Sequence, residues 1–498
     1  MPTLRTPLKL ALIGTFALVF LLGYFVRWPI PGFLNIAGSL ILAGFTGLAA
    51  LGWGSWPLDF IWPQKDHRTR AEQVLFSLAL GWGVLSFLMM LLGLVHLWIP
   101  IGARLLIAGG IGLGLWRIFH YSWGAGEIPG DEKRWLWLFI PVGFISLLLA
   151  LTPPTYYDAL VYHLALPSAY IRAGHWIGWQ DLVYSAFPQN LEMLWTLGLL
   201  TGVPALPNLI SWIMAAMLLV AVDRWSRRFL DAATGSAAAV FLLAMPAFLL
   251  LSSGGYVDVG LALYAFLSLY ALSLRTPEHE QGPSLLAGVF AGFAIGIKYT
   301  GGIGFLLGLV WILTDRSRAQ KMKSALLYTG AAFIVFLPWL IKNWIYMGNP
   351  VFPFFYTWGR QAMNPWMQGA AQGYFRALVE YHPHSVWELP RLLWSIAVQG
   401  IQFGGGIDIL GDFGWAPLVL FLPAIALTAK RPTILKKAGL YALLFFSIWG
   451  MTRPVLRFLL PLAPLLAVLA AYGWTTLERK NREYRWVARG TLGLLGLS

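Results

Sequence analysis

The sequence predicts an all-α protein, a polytopic transmembrane helical bundle of about 13–15 spans, on three observations. The 498 residues are 58% hydrophobic and only 11% charged, where a soluble domain carries about 25% charged residues. Apolar runs of about 15–20 residues recur along the whole chain, each long enough to cross a bilayer core. Lipid offers no partner to backbone N–H and C=O groups, so such runs must be helices. The 53 Gly and 30 Pro suit membrane helices, and the 26 Trp suit belts at the two interfaces.

Taken in order, spans are expected at 8–26, 33–53, 74–98, 101–119, 135–151, 205–222, 235–251, 257–274, 284–298, 301–314, 324–345, 414–429, 438–452 and 454–474. The first follows Arg5 and Lys9 and precedes no small-residue cleavage site, so it reads as an uncleaved span. With the N-terminus in the cytoplasm, 25 of the 35 Lys and Arg fall on the cytoplasmic side. This is the asymmetry of the positive-inside rule. The net charge of +14 therefore reports topology and contact with anionic membrane lipids, not nucleic acid. Residues 189–202 are apolar enough for a span, but a span there would place Arg224, Arg227 and Arg228 outside and reverse every later loop. They are expected to form a helix lying flat on the outer surface. The run Trp486 to Ser498 is too short for a span. The chain has no cysteine, hence no disulfide and no thiol chemistry.

Two segments between spans, 152–204 and 346–412, are much longer than the rest, and both fall outside the cytoplasm. They are rich in Trp, Tyr, Pro and Gly and too apolar for disorder. Long ordered loops usually carry function. Ala186 to Leu200 and Val386 to Val398 read as interfacial helices with a Trp-bearing face. The cytoplasmic loops are short and basic, without a Walker lysine motif or a dinucleotide fingerprint, which argues against ATP hydrolysis. Three regions are expected: an N-terminal accessory transmembrane module (1–132), a core (133–475) and a basic C-terminal segment (476–498).

Four stretches in that core carry a resemblance. The first is Tyr157-Asp158-Ala-Leu-Val-Tyr162-His163 after a span, then Gly174-His175-Trp176. The second is Phe187-Pro188-Gln-Asn-Leu-Glu192-Met-Leu-Trp195, then a span ending in Asp223-Arg224-Trp-Ser-Arg227-Arg228. The third runs from Gly288 to Lys298-Tyr-Thr-Gly301. The fourth is Arg453-Pro-Val-Leu-Arg457-Phe-Leu-Leu-Pro461-Leu-Ala-Pro464. In order and spacing they resemble the GT-C superfamily of membrane glycosyltransferases, nearest the branch of protein O-mannosyltransferases and lipid A aminoarabinose transferases. The likeness covers roughly 133–475. It implies a sugar donor linked to a polyprenyl phosphate, an active site at the outer face and an inverting mechanism. It names neither the sugar nor the acceptor, which can be lipid, glycan or protein. Many relatives carry an Asp-Glu pair in the first external loop, whereas here Asp158 is followed by Ala159.

Asp158 lies just beyond a span. A carboxylate in a partly apolar pocket can serve as general base toward an acceptor hydroxyl, help hold a divalent metal, or simply cap a helix. His163, five residues on, can bond a phosphate or sugar or ligate a metal. Asp258, at the outer start of a span, can supply a second carboxylate or act as a cap. No cofactor is dictated; a divalent metal would call on Asp158, Asp258 and His163. Lys298 is the one charge between two apolar runs, costly if unpaired, and a bound phosphate would neutralise it; snorkelling to the interface is the alternative. Arg453 and Arg457 share a helix face at i,i+4 spacing and suit phosphate binding. Tyr157, with Tyr156, Trp176, Trp179, Trp358 and Trp366, can stack on sugar rings or anchor the interface. Lys342, Asn343, His382, His384, Asp408 and Asp412 fall in or beside the second long segment, expected to cover the acceptor. The expectation is a multi-pass membrane glycosyltransferase with Asp158 as base. A non-catalytic membrane subunit, or a lipid or polysaccharide transporter, are the alternatives.

Overall fold

The computed structural model describes residues 30–120, 136–177, 182–315, 320–359, 365–379, 385–398, 432–452 and 454–480, with isolated positions beyond. The expected spans at 8–26 and 414–429 lie outside the described residues. Regular structure among the described residues is helical: α1 Ile30–Ile61, α2 Arg70–Leu94, α3 Pro100–His120, α4 Leu136–Ala150, α5 Ala165–Ala173, α6 Asn190–Leu200, α7 Leu206–Phe229, α8 Ala232–Leu243, α9 Pro246–Leu251, α10 Asp258–Ser273, α11 Gln281–Ile297, α12 Gly301–Leu313, α13 Lys321–Met347, α14 Pro365–Val379, α15 Leu389–Val398, α16 Thr433–Thr452 and α17 Ala463–Arg479. Among the described residues, seven helical segments are long and apolar enough to cross a bilayer, and α4, α8, α10, α11 and α12 are shorter apolar helices. The chain is an integral, multi-pass membrane protein.

Small residues let the helices approach closely. A Cβ on Gly54 of α1 would lie 1.8 Å from the Ser77 carbonyl oxygen, and one on Gly81 of α2 would lie 1.6 Å from that of Ala50. Helices in lipid gain their association from such contact rather than from water exclusion. Helix α2 starts with a reciprocal capping box, Thr69 Oγ1 accepting from Glu72 N and Glu72 Oε2 accepting from Thr69 N. Residues 30–120 are continuous with the later helices: Tyr264 donates to the Ala79 carbonyl and Ser86 to that of Asn190.

Helix polarity alternates, so paired charges collect at two opposite ends. One end holds Asp59 with Arg68 and Arg117, Glu72 with Tyr270, Arg275 with Glu280 and Ser324, and Asp231 with Arg479. The other end holds Asp258 at the start of α10 and Lys298 just after α11. This second end is recessed. Helix α11 stops level with Trp339, whose Nε1 lies 3.1 Å from a Cβ built on Gly296. Helix α13 continues to Met347, about 12 Å further at 1.5 Å per residue.

Helix α6 corrects one expectation. It does not lie flat on a surface: it packs against α2, α5 and α7 and is buried along nearly its whole length. Its sequence, Asn190 to Leu200, presents no continuous polar face, so burial is the favourable outcome. In the second long segment, α14 and α15 do carry outward Trp366 and Trp394, beside the exposed Trp387.

With no native cysteine, single-cysteine labelling tests the two-ended arrangement. Tyr157→Cys and Val386→Cys, both at exposed positions, should react with an impermeant maleimide from one side of sealed vesicles, and Glu278→Cys from the other. Labelling of Tyr157→Cys and Glu278→Cys from the same side would contradict it.

Candidate active site

The recess is built from three pieces of chain. After α4, the backbone runs to Asp158 and enters a π-helical turn, Ala159–His163, a widened turn frequent at functional sites. It leaves Tyr162 able to donate to Asp158 Oδ2 at 2.9 Å. The second piece is the turn before α10, where Gly255 takes φ +70°, a left-handed conformation cheap only for glycine. Asn208 Oδ1 would lie 2.7 Å from a Cβ there, and Asn208 in turn donates to the Thr152 carbonyl, so this turn and the Asp158 loop are held together. The third piece is a 3₁₀ turn, Leu456–Leu462, leading into α17.

These pieces assemble two buried ion pairs. Arg457 Nη2 lies 2.5 Å from Asp158 Oδ2, and Lys298 Nζ lies 3.0 Å from Asp258 Oδ1. The Phe458 ring joins them, with Lys298 Nζ 4.1 Å and the Arg457 guanidinium carbon 5.3 Å from its centroid; Arg457 also lies over Tyr256. Both are cation–π contacts. Side-chain exposure falls from 16% for Arg457 through 11% for Lys298 and 8% for Asp158 to 0% for Asp258. The Asp158–Arg457 pair is therefore the outer one. Beside it, His163 Nδ1 sits 2.6 Å from Glu192 Oε1 of α6, both side chains buried. The His163 ring lies 4.0 Å from that of Tyr162.

Burial alone would push the Asp158 carboxyl up. The Arg457 guanidinium, then His163 and Lys298, and the Tyr162 hydroxyl outweigh it and hold the group below the usual carboxylate range. Asp158 is therefore ionised at neutral pH. Arg457 Nη1, Asp258 Oδ2, His163 Nε2 and Glu192 Oε2 are buried and make no hydrogen bond among the described residues. Buried polar atoms left without partners are uncommon.

The structure brings together Asp158, His163, Asp258, Lys298 and Arg457, which come from four separate stretches of sequence. It corrects several details. Neither aspartate acts as a cap, since no side-chain cap bond forms at either helix start. Lys298 is not an unpaired cation; Asp258 neutralises it. Arg453 lies outside the described residues, and residues 454 and 455 are not helical, so the expected shared helix face with Arg457 is interrupted. The metal set Asp158, Asp258 and His163 is not gathered into one three-ligand group; each is paired instead with Arg457, Lys298 or Glu192. No group of three His, Cys, Asp or Glu suited to a metal occurs among the described residues. Tyr157 is 56% exposed, and it is Tyr162 that bonds Asp158. Trp176 is core, packed edge-on to Trp98 and Trp339. Trp358 and Trp366 are exposed, whereas Trp179, His382, His384, Asp408 and Asp412 lie outside the described residues. Lys342 donates to the Ser185 and Phe187 carbonyls, and Asn343 to that of Ala186, fastening the first long segment to α13. Glu192, Tyr162, Tyr256 and Phe458 were not singled out from sequence. A carboxylate within the apolar α6 run was the available signal for Glu192.

The fold is shared with known structures. The chain has the fold of the crystal structures of ArnT from Cupriavidus metallidurans, one bound to undecaprenyl phosphate (TM-score 0.51, 17% identity, covering 74% of this chain and 64% of that one) and one in the apo state (TM-score 0.50, 18% identity, 71% and 61%). It thus spans less than two thirds of the length of those proteins. At the level of the fold, the resemblance read from the four sequence stretches is borne out. The chain belongs to the family described as a domain of unknown function, DUF8201, which it matches over residues 203–463, just over half its length. Asp258, Lys298 and Arg457 fall within that match; Asp158, His163 and Glu192 precede it. No protein of curated function matches the sequence.

The inner pair is the less exposed of the two. Asp258→Asn strands Lys298 beside an uncharged partner and should cost about 3–5 kcal/mol. Asp258→Asn combined with Lys298→Met should recover much of that loss in unfolding measurements in detergent. Equal destabilisation by the single and double variants would refute the pairing.

Proposed function

We propose that this protein is an integral-membrane glycosyltransferase that moves a sugar from a polyprenyl-phosphate donor to an acceptor on the non-cytoplasmic face. The observation that carries the reading is the recess itself. Two buried cations, Arg457 and Lys298, each meet a carboxylate at one end of a bundle that shares the fold of ArnT bound to undecaprenyl phosphate. The positive-inside asymmetry of the sequence assigns this end to the outside.

The reaction follows from the charges. An acceptor hydroxyl attacks the anomeric carbon while the bond from that carbon to the phosphate oxygen breaks. The acceptor proton passes to Asp158, the general base, and the bonding pair leaves with the polyprenyl phosphate. Negative charge grows on that phosphate along the reaction. Arg457 and Lys298, with Arg453 as a further candidate ligand, are fixed donors toward it and stabilise the transition state more than the ground state. A single displacement inverts the anomeric centre. His163, Asp258 and Tyr157 remain candidate sugar or phosphate contacts. No step is routed through a metal, because the carboxylates are already matched to cations. A transporter would place ionisable residues at mid-depth beside broken helices; the charges at the two bundle ends favour the enzyme.

The test is transfer from labelled polyprenyl-phosphate sugars by the protein reconstituted in vesicles, with membrane extract as acceptor source. Asp158→Asn should fold and lose on the order of 10²-fold or more of transfer. Arg457→Lys should retain part of the rate, since an ammonium lacks the guanidinium fork. Near-normal transfer by Asp158→Asn would remove Asp158 from the chemistry.

A further inference from the structure

We propose that Asp158 and the donor phosphate compete for Arg457, so that donor binding itself releases the general base. This rests on the transferase reading above and adds an order of events to it. In the structure the guanidinium that a phosphate would need is already occupied by the carboxylate that must later take a proton. A base held against an arginine, and bonded by Tyr162 on the same Oδ2 atom, is a poor proton acceptor. A cation covered by a carboxylate is likewise a poor anion receptor.

Position selects this pair rather than its neighbour. Asp258 is wholly buried, against 8% exposure for Asp158, and Lys298 is 11% exposed, against 16% for Arg457, so the Lys298–Asp258 pair is the inner one. Arg457 and Asp158 are the more exposed pair, met first by a ligand entering the recess. Arg457 meets Asp158 through Nη2, and its Nη1 is buried with no hydrogen bond among the described residues. The guanidinium thus has capacity left over, and planar guanidinium geometry suits two phosphate oxygens at once. The charged and titratable groups around Asp158 are Arg457, Lys298, His163 and Tyr162, with Asp258 and Glu192 behind them. Arg457 and Lys298 balance Asp158 and Asp258. A phosphate entering beside Asp158 adds an anion without a cation, and like charges repel at this range. Transfer of Arg457 from carboxylate to phosphate relieves that repulsion. It leaves Asp158 held only by Tyr162, next to the acceptor. Donor then binds before acceptor, and the acceptor is not deprotonated until a donor is in place.

The exchange makes a counterintuitive prediction: a variant that loses transfer binds the lipid phosphate more tightly. The probe is undecaprenyl phosphate, titrated into the full chain in nanodiscs of zwitterionic lipid and followed by tryptophan fluorescence. Asp158→Asn, and Asp158→Ala as a second variant, should tighten binding by about tenfold or more, a change of 1.4 kcal/mol or more. The gain should vanish in an Arg457→Gln background, because the carboxylate then has nothing to compete for. Unchanged or weaker binding by both Asp158 variants would overturn the exchange, as would a gain that persists without Arg457. If the wild-type chain and every variant fail to bind undecaprenyl phosphate, the transferase reading falls, and the exchange falls with it.

Discussion

The charge quartet of Asp158, Arg457, Lys298 and Asp258 is the constraint around which the outward end of this bundle is arranged. Removing a charged group from water costs several kcal/mol even after relaxation, and here four lie together with little exposure. They are tolerable only because each cation meets a carboxylate and an aromatic face. Every local irregularity nearby serves that meeting. The π-helical turn sets Tyr162 on Asp158, the glycine turn brings Asp258 to the head of α10, the early stop of α11 presents Lys298, and the 3₁₀ turn before α17 aims Arg457 and Phe458 at the others. Irregular backbone at such depth is acceptable where protein, rather than lipid, surrounds it.

The two ends of the bundle use charge differently. At the basic end, arginines clamp helix termini: Arg479 closes on Asp231 at the start of α8, and Arg275 on Glu280 just before α11. At the recessed end the cations are interior, stacked on Phe458, and one of them keeps a donor, Arg457 Nη1, that has no hydrogen-bond partner among the described residues. The first use holds a topology. The second fits a site that receives an anion. Lys342 and Asn343 separate the roles further, since their amine and amide groups bind backbone carbonyls of the first long segment and keep α6, with Glu192, against the site.

Much of the fold was legible in the sequence because lipid makes hydropathy a near-direct reading of helix position. The expected span 257–274 is α10 (Asp258–Ser273), 284–298 is α11 (Gln281–Ile297) and 324–345 is α13 (Lys321–Met347). Where proline intervenes the reading slips: 235–251 is two helices broken before Pro246, and 454–474 opens as a 3₁₀ turn. For the site, position at span ends picked out Asp158, Asp258, Lys298 and Arg457, because an ionisable group beside lipid needs a reason. Their pairing was not legible. Which carboxylate meets which cation is set by how α10, α11 and α17 pack, and no local pattern encodes that. Glu192 was missed for a related reason: α6 is too short to span, and a short apolar helix can lie on an interface or inside the bundle with the same composition.

The measurement that tests the central claim most directly is photo-crosslinking with a diazirine placed beside the phosphate of an undecaprenyl phosphate analogue, in native-like membranes, with adducts mapped by mass spectrometry. The account predicts adducts on the segments around Asp158, Tyr256, Lys298 and Arg457, removed by excess unlabelled lipid phosphate. Adducts confined to outward helix faces such as Leu105 of α3 or Ile334 of α13, or adducts that unlabelled lipid phosphate does not displace, would contradict it.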